Sequence, residues 1–182
     1  MISSIKQFEL ALEKAFGNIN RNSLSGISHG RVRFNLGGDS PNMKERLDQS
    51  LLRGKLILQD CLKDKDIWFR ITFWNEEEKD NLLDAGLNIN QVDLVLEDNI
   101  DDNDILVLYK RKFSATFINP IILSNINFEI GNKPFANFTC YFINFSIPVV
   151  INIYDDRGMD VVSTSSPFIK NLSQKYKDWI TQ

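Results

Sequence analysis

The chain is poor in the side chains on which most chemistry depends. It has one histidine, His29, and two cysteines, Cys61 and Cys140, in 182 residues. Histidine-based acid–base work would have to run through His29, which sits among Ser and Gly and reads as an exposed loop side chain. One His and two Cys without ligand spacing do not suggest a zinc site. Both cysteines lie in apolar stretches, which favours buried free thiols in a reducing compartment over a disulfide. No run of ~18 apolar residues is present, so no membrane span is expected. The first residues lack the basic, apolar and small-residue succession of a signal peptide, and a cytoplasmic location is expected. There is no Walker Lys-Ser/Thr and no GxGxxG spacing. Turn and N-cap chemistry explains the Gly37-Gly38-Asp39-Ser40 stretch, although amides between a strand and a helix could hold an anion. The expectation is a protein without cofactor, metal or catalytic residues.

What is present is the material of a core. Hydrophobic residues make up 43% and aromatics 11%, with 13 Phe. There is no internal repeat and no low-complexity linker, so one domain over residues 1–182 is expected. The net charge of −3 hides an asymmetry. Residues 1–62 carry 9 Lys and Arg against 6 Asp and Glu, residues 63–109 carry 4 against 13, and residues 110–182 carry 8 against 5. The acidic middle disfavours direct nucleic-acid binding there and suits a basic partner.

Periodicity places the elements. Ile5, Phe8, Leu12, Ala15 and Phe16 share a helical face, stopped by Gly17. Val32, Phe34 and Leu36 alternate with Arg33 and Asn35 as a half-buried strand. Ser40 as N-cap and Pro41 as first helical residue open a helix striped by Met43, Leu47, Leu51, Gly54, Leu58 and Cys61. Gly54 on that stripe suggests close backbone contact. Ile67, Phe69, Ile71 and Phe73 alternate with Trp68, Arg70, Thr72 and Trp74 in a strand. Asn75 with Glu78 caps a helix running to Ala85, with Glu76, Glu77 and Glu78 at its positive end. A short strand over 92–96, an acidic loop over 97–104 and an extended stretch over 105–117 follow. Asn119-Pro120 opens a helix ending near Gly131, although 121–130 would also serve as a strand. Strands over 138–146, 148–154 and 159–163 precede a helix opened by Ser166-Pro167. Early alternation of helix and strand with late strand clustering implies an α/β (α+β) fold, a mixed sheet with helices packed against it.

Two carboxylate groups stand out. Asp98, Asp101, Asp102 and Asp104 loosely resemble a calcium loop, but the central Gly and terminal Glu are missing. A solvated acidic loop, or a surface meeting a cationic partner, fits better. Asp155, Asp156 and Asp160 lie within the stretch Tyr154-Asp155-Asp156-Arg157-Gly158-Met159-Asp160, where they could form a metal-dependent carboxylate cluster, although turn caps are the commoner use. Asp caps turn amides and Gly accepts positive φ, so this reads as a tight hairpin turn with an ion pair to Arg157.

The same stretch is similar to the "YDDRGxD" motif of a bacterial domain-of-unknown-function family. Arg33-Phe34-Asn35-Leu36-Gly37-Gly38 resembles its "RFxLGG", with Asn35 where the family has Glu. Tyr176, Trp179 and Ile180 resemble its ending. Proteins of this kind resemble the immunity partners of secreted toxins, including contact-dependent growth inhibition systems. The resemblance implies stoichiometric binding of a toxin, a basic nuclease whose active site is covered. Charge complementarity would assign the interface to Glu76, Glu77, Asp80, Asp84, Asp98, Asp101, Asp102 and Asp104. The alternative is a small hydrolase or ligand-binding domain with a pocket near His29, Gly37, Gly38 and the turn from Asp155 to Asp160.

Overall fold

The structure, a computed structural model, describes residues 4–19, 24–27, 30–37, 40–62, 65–86, 93–99 and 105–181. Five α-helices and seven strands follow in the order α1 (Ser4–Phe16), β1 (Gly30–Asn35), α2 (Met43–Leu62), β2 (Asp66–Phe73), α3 (Glu76–Asp84), β3 (Asp93–Asn99), β4 (Ile105–Lys112), α4 (Ala115–Ile130), β5 (Phe138–Asn144), β6 (Val149–Ile153), β7 (Gly158–Ser163) and α5 (Ser166–Lys175). The strands form one sheet in the order β1-β7-β6-β5-β2-β4-β3. The α+β class is as expected. Every pairing is antiparallel, however, and none supplies the parallel component of a mixed sheet. The reason lies in the connections. Short turns join β5 to β6 and β6 to β7, which only antiparallel neighbours allow, while α2, α3 and α4 sit in connections between strands that are not adjacent.

Alternation along β2 sorts the two faces. Ile67, Phe69, Ile71 and Phe73 enter a large core shared with α2, α3, α4 and α5. Trp68 points the other way, into a smaller core with Phe8, Leu12 and Phe16 of α1. Four helices thus cover one face and α1 covers part of the other. Phe69 stacks edge-on against Phe117 at 4.9 Å and Phe142 at 5.3 Å, tying β2 to α4 and β5.

Local chemistry moves several boundaries. Asn42, not Ser40, caps α2: its Oδ1 accepts from the amides of Lys44 at 3.0 Å and Glu45 at 3.3 Å. Met43, on the expected apolar stripe, is exposed. Gly54 is buried in ordinary contact with Ile153, Ile122 and Leu36. Asn75 caps α3 as expected, accepting from Glu78 N at 3.0 Å. Helix α4 begins after Ser114, earlier than Asn119, and carries Pro120 inside it. Its end at Gly131, φ 69°, is where the sequence put it. Residues 97–99 belong to β3 and not to an acidic loop. No described helix is long and apolar enough to cross a membrane.

Cys61 and Cys140 are buried free thiols. Burial raises both thiols above their ordinary range, because it penalises the thiolate. A raised folded value means the stabilising contribution is complete below the ordinary value of 9.0 and fades as pH rises past it. Native protein should therefore label slowly with a thiol reagent at pH 8, and its melting temperature should fall between pH 8 and pH 10.5. Rapid labelling of both thiols would contradict their burial.

Candidate functional site

The three sequence features singled out earlier meet at one edge of the sheet. Strand β1 pairs with β7 in a register that sets Arg33 opposite Asp160 and Asn35 opposite Gly158. Phe34 is fully buried and meets Tyr176 edge-on at 6.1 Å. Tyr176 donates to Asp60 of α2 at 2.7 Å and stacks on Trp179 at 4.7 Å. Beyond β1, Ile180 bridges Phe34 and the Thr181 amide donates to Arg33 O at 3.0 Å, so the chain's end covers this sheet edge.

The turn between β6 and β7 is held from within and from α2. Asp155 accepts from the amides of Arg157 at 2.7 Å and Gly158 at 3.2 Å, and its other oxygen pairs with the Arg157 guanidinium. Asp156 is wholly buried and ion-paired to Arg46 of α2. The Ser50 hydroxyl lies 2.7 Å from both Arg46 O and Asp156 O, and its single hydrogen can serve one at a time. Asp155 ties the turn to itself and Asp156 ties it to α2. Asp160 faces the other side of the sheet.

The two described motif glycines, Gly37 and Gly158, are set by close approach. The expectation of positive φ at Gly158 is corrected: left-handed glycines occur at Gly17, Gly86 and Gly131, and Gly158 lies outside that region. A Cβ on Gly158 would lie 2.7 Å from the Tyr154 ring carbon Cζ and 3.1 Å from Phe34 O. A Cβ on Gly37 would collide with Ser50 Oγ and the Arg46 carbonyl. Gly37 is thus packed against α2 and offers no open anion cradle. Gly38 and His29 lie outside the described residues.

The expected acidic surface is only partly described. Glu76, Glu77, Asp80 and Asp84 are exposed on α3, with Glu76, Asp80 and Asp84 at four-residue steps along one side. Glu78 is tied down instead, accepting from the Asn137 amide at 2.7 Å. Asp98 lies in edge strand β3. Asp101, Asp102 and Asp104 lie outside the described residues. Beside this helix, Trp74 is 46% exposed and its indole N–H donates to Asn137 at 3.1 Å. Leu83 is 37% exposed. Among the described residues, no three His, Cys, Asp or Glu side chains are grouped to hold a metal ion.

The sheet face opposite α2 to α5 carries a feature that sequence reading missed. Arg33 donates twice to Asp160, at 2.8 and 3.0 Å, and Arg31 Nη1 lies 3.6 Å from the same carboxylate. That bond and charge raise Arg33 above its ordinary range. The Arg33 guanidinium sits 5.5 Å from the centre of the Tyr154 ring. Burial raises the Tyr154 hydroxyl, and Arg33 opposes part of that rise. Two depressions of about 330 and 270 Å³ meet at Tyr141, Asn152 and Tyr154; the first runs past the strand ends to Asn125 and Phe128 of α4, and the second lies on the open face. Below, Arg70 is 4% exposed and lies 5.5 Å from the Tyr141 ring, and desolvation lowers its pKa. Arg33 and Asp160 are 127 residues apart, so only the strand register could reveal the pair.

Residues 8–182 match one family described as a domain of unknown function, DUF3885. The chain belongs to that family. No curated protein and no solved structure matches it. The DUF3885 match begins within α1 and spans every element after it, including the β1–β7 edge, the acidic helix and the open face.

The glycine geometry separates two substitutions. Gly37→Ala pushes against helix backbone and should cost roughly 1–3 kcal/mol. Gly158→Ala pushes mainly against a half-exposed tyrosine ring that can swing away, and should cost less. Urea unfolding of the two variants checks the order. Equal stability of Gly37→Ala and the parent would contradict the packing described.

Proposed function

We propose that this chain is a cytoplasmic immunity-type protein that binds and neutralises a cognate secreted bacterial toxin, a basic nuclease whose active site it covers. The carrying observation is the exposed row of carboxylates on α3 beside a partly exposed, hydrogen-bonded tryptophan. A nuclease must hold phosphate, so its site is cationic, and an acidic surface complements it. Trp74 supplies the apolar anchor such surfaces use, and it loses little entropy on binding because its indole N–H is already fixed. A groove beside α3, lined by three carboxylates of the helix, Glu77, Glu78 and Asp84, and one cation, Lys133, continues that surface. Glu76, 3.7 Å from Lys79, keeps 70% of its side chain exposed, so this ion pair leaves the acidic row open to a partner. The resemblance of the 33–38 and 154–160 segments to immunity-associated sequences supports the same reading. Its expected partner is a protein, with no direct nucleic-acid or membrane contact.

Association with the toxin domain should be fast and salt-sensitive, since exposed charges are screened over ~8 Å at physiological ionic strength. Replacing Glu76 and Glu77 by Gln, with Asp80 and Asp84 by Asn, should slow association about tenfold or more and reduce protection of toxin-expressing cells. The folded state should be unchanged, because these side chains are exposed. A second set, Asp98, Asp101, Asp102 and Asp104 replaced by Asn, tests the extension of the interface. Stopped-flow association and a growth assay read both sets. An unchanged rate with full protection in both would remove this surface from the interface.

A further inference from the structure

We propose that the depression over β1, β7 and β6 binds a small organic acid, with its carboxylate at Arg31 and Arg33 and its apolar body against Leu24, Val150 and Val162. The inference stands apart from the toxin-binding reading, since none of these residues lies on α3. Strand register lays two rows across the open face. Arg33, Asp160, Asn152 and Tyr141 stand opposite one another in turn as a polar row. Two residues along, Arg31 heads a second row that continues through Val162, Val150 and Ile143 and is apolar beyond the arginine. Helix α1 packs over that apolar row, and the depression opens where the polar row begins. From β1 to β6 is two strand spacings, about 10 Å, so one small molecule reaches both the guanidiniums and the valines.

Charge and size select the ligand. Arg31 and Arg33 flank one carboxylate, Asp160, so the lining carries one excess positive charge. A monoanion balances it, whereas a phosphate dianion would set a second negative charge against Asp160. Asp160 engages Nε and Nη2 of Arg33, which holds that guanidinium in place and leaves Nη1 to donate. Arg31 donates to Ile27 O at 3.3 Å and lies 3.6 Å from Asp160, contacts that use only part of its five N–H groups. Burial raises the Tyr141 hydroxyl, and Arg70, a hydrogen bond with Ser25 and the charge of Arg31 oppose that rise, so the field of Arg31 extends inward over the depression as far as β5. The Tyr154 ring, 5.5 Å from the Arg33 guanidinium, forms one wall. The planar guanidinium fork matches a carboxylate. At about 270 Å³ the depression is smaller than the ~300 Å³ at which ligand pockets usually begin, so its occupant is small.

Isothermal titration of the purified full chain with phenylacetate, acetate and phenyl phosphate tests this. Phenylacetate should bind about tenfold or more tighter than acetate, through its apolar body, and tighter than phenyl phosphate. Arg31→Gln should weaken phenylacetate binding about tenfold or more. Arg31→Lys keeps the charge without the fork and should retain only part of the affinity. Lys170→Gln removes the same charge from an exposed position on α5 and should change nothing. Circular dichroism checks that each variant is folded, and Arg31→Lys carries the test if Arg31→Gln is not. No binding of phenylacetate at about 10 mM would overturn the proposal. So would tighter binding of phenyl phosphate, affinity that both Arg31 substitutions leave intact, or an equal loss in Lys170→Gln.

Discussion

The carboxylate of Asp156 has no contact with solvent, and the Arg46 guanidinium of α2 is its ion-pair partner. Removing one member of such a pair leaves a charge stranded in a medium that cannot solvate it, which costs far more than an exposed pair contributes. The turn between β6 and β7 is therefore bound to the first turns of α2. Ser50 and the tight seat of Gly37 against the Arg46 carbonyl draw the end of β1 to the same place. The Leu36 amide completes the junction by donating to Arg157 O at 2.8 Å. With β1, the turn and α2 fixed together, the register of β1 on β7 follows, and Arg33 meets Asp160.

That register links the two faces of the sheet. The buried side of β1 gives Phe34 to the core under α5. The opposite side gives Arg31 and Arg33 to the open face. A one-residue slip would exchange them, burying two guanidiniums and exposing Phe34. The family segments therefore have a structural role that accounts for most of their residues: Phe34, Leu36, Gly37, Asp155, Asp156 and Gly158 pack or cap. Arg33, Tyr154 and Asp160 reach the open face, and Arg157 is exposed at the turn.

Much of the fold was legible from local pattern. Alternation fixed β2 because different helices cover its two faces, and Asn75 with Glu78 marked the start of α3. Helix α4 was harder to read, since Ile and Phe at most positions suit a strand and Pro120 suggests a beginning. Tertiary packing made it one helix from Ala115. Asp98 read as a loop residue because charge and strand rarely coincide, yet charged residues are common on edge strands such as β3. At Gly158 the residue type was legible as special and the reason was not, because the crowding comes from the Tyr154 ring. The acidic helix needed only sequence. The arginine–tyrosine cleft needed the pairing of residues more than a hundred positions apart.

The most direct measurement is a double-mutant cycle on Arg46 and Asp156 by urea unfolding. Arg46→Met alone should cost roughly 3–5 kcal/mol, by stranding the buried carboxylate. Adding Asp156→Asn should then restore part of that loss, with a coupling energy of about 2 kcal/mol or more. Single losses that add to within about 0.5 kcal/mol would mean the two groups act independently. The ion pair would then not be what holds the turn, β1 and α2 together.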